Sequence, residues 1–159
     1  LTTLSCVIKE SLRLYPPVPF VGRVLDSDVT LDDGRVLPAG VNVGIAVSAL
    51  HRNPRLWRRA SEFLPQRWAD SATGGSVPYA YVPFSAGARN CIGRSFANQE
   101  LLVTLAAVVQ QFEFVVDENV PVIRAPRVVL TPQHGVHVRV RRLSVRDGDF
   151  DDARIVRRA

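Results

Sequence analysis

"FSAGARNCIGRSF", residues 84–96, sets one of the chain's two cysteines among glycines and arginines. The apolar run LLVTLAAVV, residues 101–109, follows and predicts a helix that extends to about Gln110. Cys91 therefore stands just ahead of a helix, where free backbone N–H groups and the positive end of the dipole favour a thiolate. Gly87 and Gly93 give the backbone on either side freedom to fold tightly and to approach a flat partner closely.

Four chemistries are compatible with that cysteine. It could be an inert buried thiol, the default for a lone cysteine. It could be a nucleophile, which would need one of His51, His134 or His137 nearby, and none of these stands in a recognisable protease context. A zinc site would draw on the His134-x-x-His137 pair, yet on a strand those two residues point to opposite faces. Finally, a thiolate with amide donors aimed at its sulfur is suited to the iron of a heme, as a strong donor of tuned potential. Arg89 could then reach a carboxylate on the cofactor's rim. The loop alone leaves all four open.

The 159 residues, 47% of them hydrophobic, suffice for one ordinary core. No stretch approaches the roughly 18 consecutive apolar residues of a membrane span, and no secretory signal opens the sequence. The chain starts inside an apolar-periodic segment and contains no methionine. It is therefore expected to be a piece of a longer protein. The net charge of +5 is almost entirely arginine, since Lys9 is the sole lysine. Residues 139–159 hold seven arginines against four aspartates, with Phe150 as the lone aromatic. A nucleic-acid surface would interleave aromatics with its basic face, so no nucleic-acid partner is expected and residues 143–159 read as a frayed, solvated tail. Cys6 and Cys91 cannot build a disulfide framework or a four-thiolate zinc site.

Along the chain, Leu1, Leu4, Ile8, Leu12 and Tyr15 recur at helical spacing until Pro16-Pro17 ends the pattern. Residues 28–47 predict one hairpin around Asp33-Gly34, with Val41, Val43, Ile45 and Val47 alternating along its second strand. Asn53 as N-cap and Pro54 at the first helical position predict a short helix. Residues 64–83 read as a long loop. FEFVV (112–116), RVVL (127–130) and GVHVRVRR (135–142) read as strands. The sum is an α+β order without repeats.

Three segments together change the standing of Cys91. FSAGARNCIG, residues 84–93, resembles the cysteine loop of the cytochrome P450 family, phenylalanine-x-x-glycine-x-arginine-x-cysteine-x-glycine. Phe84, Gly87, Arg89, Cys91 and Gly93 fill its fixed positions. KESLRLYPP, residues 9–17, resembles the same family's glutamate-x-x-arginine helix, and FLPQRW, residues 63–68, resembles the segment that supplies a second arginine to it. The likeness covers 1–142, the C-terminal third of such an enzyme. Residues 13–23 (RLYPPVPFVGR), 51–54 (HRNP) and the cysteine loop look most like the fatty-acid omega-hydroxylase branch. Ala88 departs from that branch's usual proline, and Gln66 from the family's usual glutamate.

The resemblance implies the C-terminal part of a mainly helical α+β P450 fold. Its elements would be the glutamate-x-x-arginine helix, a β-hairpin, the cysteine-ligand loop, the helix after it and C-terminal strands. It implies heme (iron protoporphyrin IX) with Cys91 as axial ligand and Phe84, Gly87 and Gly93 around it. Arg89, with Arg23 at a second such position, would meet the heme carboxylates. Glu10, Arg13 and Arg67 would form a buried network that retains fold and heme. No catalytic residue is assigned, because the family's oxygen-activating helix lies upstream. The implied reaction inserts one oxygen atom of O2 into a small apolar substrate, with electrons from an NADPH-dependent reductase or ferredoxin. Fatty-acid omega-hydroxylation is the expectation at branch level; peroxide rearrangement and an inactive heme-binding remnant are the alternatives. The family implies the cytosolic face of the endoplasmic reticulum in a eukaryote and the cytoplasm otherwise.

Overall fold

The first helix ends where its hydrogen bonding must. In the computed structural model, which describes residues 2–69, 77–143 and 154–156, α1 spans Thr2–Leu14. Tyr15 N–H makes a last helical bond to the Ser11 carbonyl at 2.7 Å. Pro16 has no N–H with which to continue. α1 buries Cys6, Ile8, Leu12 and Leu14 together with Glu10 and Arg13.

Residues 21–45 form two nested ladders where one hairpin is expected over 28–47. β1 (Val21–Val24) pairs antiparallel with β4 (Asn42–Ile45), from Val21 opposite Ile45 to Val24 opposite Asn42. Inside them β2 (Val29–Thr30) pairs with β3 (Val36–Leu37). Asp33 closes the inner turn by accepting from the Arg35 backbone N–H and Nε. The strand breaks after β3 because Pro38 cannot donate and Gly40 N–H turns to the Leu25 carbonyl at 2.7 Å. Val47 leaves the expected alternation altogether and is buried in the single-turn helix α2, Val47–Leu50.

The helix expected after Asn53 does not form. Asn53 Oδ1 does accept from Arg55 N–H, and the Asn53 carbonyl takes both the Leu56 and the Trp57 N–H. The start signal was genuine, but Arg59 adopts φ +52°, which ends any helical path after one turn. Turns instead let Trp57 reach inward, where it is 2% exposed beside Ala60 and Ala80. Trp68 and Tyr81 pack against this cluster, with ring centroids 5.6 Å (Trp57 to Trp68) and 4.6 Å (Trp68 to Tyr81) apart. Within the expected loop of residues 64–83, Pro65–Trp68 is a 3₁₀ turn that delivers Arg67 and Trp68 beneath α1. Residues 70–76 lie outside the described residues.

The helix after Cys91 forms as expected: α3 spans Arg94–Val109 and packs on α1. Beyond it, β5 (Phe112–Val116), β8 (Val138–Arg142) and β9 (Arg154–Val156) make a three-stranded antiparallel sheet. β6 (Arg124–Pro126) and β7 (Leu130–Pro132) form a separate pair. Of RVVL only Leu130 is in a strand, and its N–H donates to the Pro17 carbonyl at 2.7 Å, which fastens this pair to the proline turn. His134 occupies a turn and His137 the position just before β8, so neither lies in a strand, and His137 Nε2 lies 3.2 Å from the His134 carbonyl oxygen. The tail expected over 143–159 is a paired strand at Arg154–Val156; residues 144–153 and 157–159 lie outside the described residues. No described helix is long and apolar enough to cross a membrane.

Trp57 Nε1 is buried without a hydrogen-bond partner. Trp57→Ala should cost about 3–5 kcal/mol by opening a cavity, whereas Trp57→Phe, which also removes the orphaned N–H, should cost roughly 1–2 kcal/mol. Urea unfolding of the two variants checks this, and equal losses would refute it.

Candidate functional site

Glu10 and Arg13 are three residues apart on α1, so they share a face. Both are 0% exposed. Arg13 Nε and Nη2 donate to the two carboxylate oxygens of Glu10 at 2.9 and 2.8 Å. Nη1 reaches the carbonyls of His51 and Ala60, both at 2.7 Å, and Nη2 also reaches that of Glu62 at 3.0 Å. All five guanidinium N–H groups are thereby used. Arg67 joins as expected, with Nε 3.0 Å from Glu10 Oε1 and Nη1 on the Arg58 carbonyl.

Two members of the network escaped the sequence reading. Leu64 N–H donates to Glu10 Oε1, and Trp68 Nε1 donates to Oε2, each at 2.9 Å. Burial alone would raise the Glu10 pKa. The donors from Arg13, Leu64, Trp68 and Arg67 outweigh it and hold the carboxyl below its usual range.

His51, considered in the sequence only as a partner for a nucleophilic cysteine, is a third addition. It is 0% exposed, and Val82 N–H donates to its Nε2 at 2.9 Å. Burial, the largest influence, pushes its pKa down to about 4.

Cys91 is exposed in this chain, and Cys6 is the buried cysteine. Cys91 N–H donates to the Phe84 carbonyl at 2.9 Å, closing the loop on itself. Gly87 has φ +76°, with no atom within 4 Å of where a Cβ would stand, so this position requires glycine for its backbone. Gly93 differs from the expectation. Its φ of −83° suits any residue, and a Cβ there would meet Cys91 Sγ at an ordinary 3.9 Å. The amide donors expected around the sulfur are partly engaged elsewhere: Arg94 N–H bonds the Cys91 carbonyl, and Ala97 N–H the Gly93 carbonyl.

Arg23 reaches the backbone of Arg89. Arg23, on β1, donates from Nη2 to the Arg89 carbonyl and to Ser85 Oγ, both at 3.2 Å. Ser85 adopts φ +62°, a strained conformation for a residue with a side chain, which no residue pattern announces. A cavity of about 260 Å3 beside it is lined by Val21, Arg23, Ile45, Tyr79, Ser85 and Ala86. Phe84 is half-buried and lines a second cavity of about 290 Å3 with Ile8, Tyr81, Pro83, Asn98 and Leu102. No group of three or more His, Cys, Asp or Glu side chains that could hold a metal ion exists among the described residues.

Comparison with known proteins gives this arrangement its family. Residues 1–140 match the cytochrome P450 family model. Cytochrome P450 4A24 of Sus scrofa is 44% identical over 141 residues, which cover 89% of this chain and 27% of that protein. Cytochrome P450 4A11 of Homo sapiens is 46% identical over the same shares. Cytochrome P450 4B1 of Rattus norvegicus is 42% identical over 148 residues, 93% of this chain and 29% of its own length. Among solved structures, retinoic acid-bound cyanobacterial CYP120A1 superposes with a TM-score of 0.82 at 28% identity, over 89% of this chain and 33% of that one. Cytochrome P450 CYP102L1 does so with 0.81 at 32%, over 90% and 32%. The chain belongs to the cytochrome P450 family, and it spans 27–29% of the length of these curated relatives.

Heme is that family's cofactor, and the residues present fit it. One accessible thiol without companion His, Cys, Asp or Glu ligands suits a single axial bond and not a chelated ion. An exposed arginine guanidinium fastened to the cysteine loop, that of Arg23, suits a carboxylate at a cofactor's edge.

Glu10→Ala should cost about 3–5 kcal/mol and most heme-loaded protein, because Arg13 and Arg67 lose their buried counter-charge. Arg59→Ala, which breaks an exposed ion pair of the same i,i+3 spacing with Glu62, should change nothing measurable. Equal yields of the two variants would contradict this reading of the network.

The pH dependence follows from His51. Its folded pKa of about 4 lies below the unfolded value near 6.5, so between these pH values the unfolded chain binds the extra proton. Stability should be full above about pH 6.5 and fall as pH drops to about 4, by on the order of 3 kcal/mol. Glu10, with a depressed pKa, contributes stability that is full above its ordinary 4.5 and is lost only as pH falls below that value. Urea unfolding of His51→Gln should show a flat profile across the upper window; a slope like the wild type's would argue against this assignment.

Proposed function

We propose that this chain carries the thiolate side of a heme-thiolate monooxygenase and that Cys91 Sγ is the axial ligand of the iron. The observation that carries the reading is the exposed thiol just ahead of α3, on a loop that the Arg23 guanidinium fastens through the Arg89 carbonyl and Ser85 Oγ. Arg23 and Arg89 bind the heme carboxylates from β1 and from the loop. Phe84 packs beside the ligand and restricts water at the sulfur. Gly87 supplies the left-handed turn. Glu10, Arg13 and Arg67 hold the platform rather than touch the reacting atoms.

The bound heme supplies the O2 chemistry that places one oxygen atom in an apolar substrate. Electrons come from a separate NADPH-dependent reductase or ferredoxin. The substrate class proposed is a fatty acid hydroxylated at its omega carbon. It is supported by the motif likeness of residues 13–23 and 51–54 to that branch.

In the heme-loaded protein the reduced carbon-monoxide complex should show the red-shifted Soret band of thiolate ligation. Cys91→Ser should abolish it and Cys6→Ser should leave it intact. A persisting band in Cys91→Ser would remove Cys91 as ligand. For the reaction, labelled O2 should appear in the terminal hydroxyl of a fatty acid only when the reductase is present. Turnover of a hydroperoxide without O2 or reductase would assign rearrangement chemistry instead.

A further inference from the structure

A backbone N–H can only donate, and Val82 N–H is aimed at a ring nitrogen of His51 at 2.9 Å. That nitrogen, Nε2, must therefore be the unprotonated acceptor. The ring's proton is left on Nδ1, which faces the Arg13 carbonyl oxygen at 3.2 Å. A second proton on Nε2 would set N–H against N–H. The partners on the two sides fix one neutral tautomer.

The ring is also fixed in place. It stacks on Tyr81 at 5.3 Å, and the Tyr81 hydroxyl donates to the Lys9 carbonyl on α1. The His51 carbonyl accepts from Arg13 Nη1 at 2.7 Å. Residue 51 thus grips Arg13 twice, through its backbone oxygen and through its ring. Beyond the ring, the Val82 carbonyl accepts from Ser85 N–H at 3.0 Å, and the Phe84 carbonyl accepts from Cys91 N–H at 2.9 Å. A continuous hydrogen-bonded route runs from the buried network through one imidazole to the loop that bears the thiol.

We propose that His51 is a positioning residue for the Cys91 loop, relaying the placement of Arg13 to Val82 through its Nδ1–H tautomer. The inference rests on the reading of Cys91 as heme ligand. Its effect is on where the sulfur sits and not on the reacting atoms. Loss of the Val82 bond should let the Phe84–Cys91 loop drift and favour the neutral thiol over the thiolate at the iron.

His51→Gln and His51→Asn separate the two ends of the ring. A glutamine carbonyl can stand where Nε2 stands and accept from Val82. An asparagine amide reaches only the Nδ1 position and keeps the Arg13 contact. In the heme-loaded protein, His51→Gln should retain the wild-type proportion of the thiolate-type band in the reduced carbon-monoxide complex. His51→Asn should convert at least a third of it to the unshifted, thiol-type band, although its thermal unfolding matches that of the glutamine variant. Wild-type proportions in both variants would overturn the proposal, as would equal losses in both. Wild type and Cys91→Ser are measured alongside: if wild type lacks the thiolate band, or Cys91→Ser keeps it, the ligand assignment fails instead. Should His51→Asn not load heme, nitrogen NMR of the histidine-labelled wild-type holoprotein decides. A protonated Nδ1 and a bare Nε2 at pH 7 support the relay, and an Nε2–H tautomer or an imidazolium overturns it.

Discussion

The carboxylate of Glu10 is the point on which the rest depends. Five donors from α1, the 3₁₀ turn and the residue before it converge on its two oxygens. These donors come from two separate stretches of chain, α1 and residues 64–68, which the one carboxylate ties together. Trp57 then lies under both guanidiniums, 5.2 Å from that of Arg13 and 5.9 Å from that of Arg67. Burying this much charge in an incomplete network would be ruinous; in a complete one the desolvation is offset by short, directed bonds. The 51–62 segment, which has turns but no helix, takes its shape from the carbonyls it presents to Arg13.

That rigidity is what lets the cysteine loop be strained. Ser85 and Gly87 both have positive φ within three residues, and for serine this costs on the order of 1–3 kcal/mol. Such backbone persists only when its surroundings over-determine it. Here Arg23 braces Ser85 and Arg89 from β1, and Val82 is held from beneath by His51. The loop is pinned from two sides while its sulfur stays open.

What was legible in the sequence follows from the range of the signals. α1, α3 and β5 are written in local periodicity, and Pro16 marks a boundary by its missing N–H. The Glu10–Arg13 pairing is visible as a shared helix face, but its burial is not, since an exposed pair such as Arg59–Glu62 has the same spacing. Trp68 and His51 were missed because an indole or imidazole in a turn carries no mark of the partner it will meet about 58 or 31 residues away. The helix after Asn53 was a correct start signal overridden by tertiary demand, since Trp57 could enter the core only if the chain turned. The hairpin differs in the same way: the strand read from the alternation ends at Ile45, Val47 turns into α2, and Pro38 and Gly40 break the pairing after β3.

Buried ion pairs contribute little net stability compared with a well-packed apolar core, so stability alone does not account for this one. Apolar contacts fall off gradually and tolerate sliding, whereas a bidentate arginine–carboxylate pair loses its bonds within a few tenths of an ångström. A ligand that must meet a metal at one distance gains more from the second kind of contact. The route through Arg13, His51 and Val82 to the Cys91 loop is built almost wholly of such directed bonds.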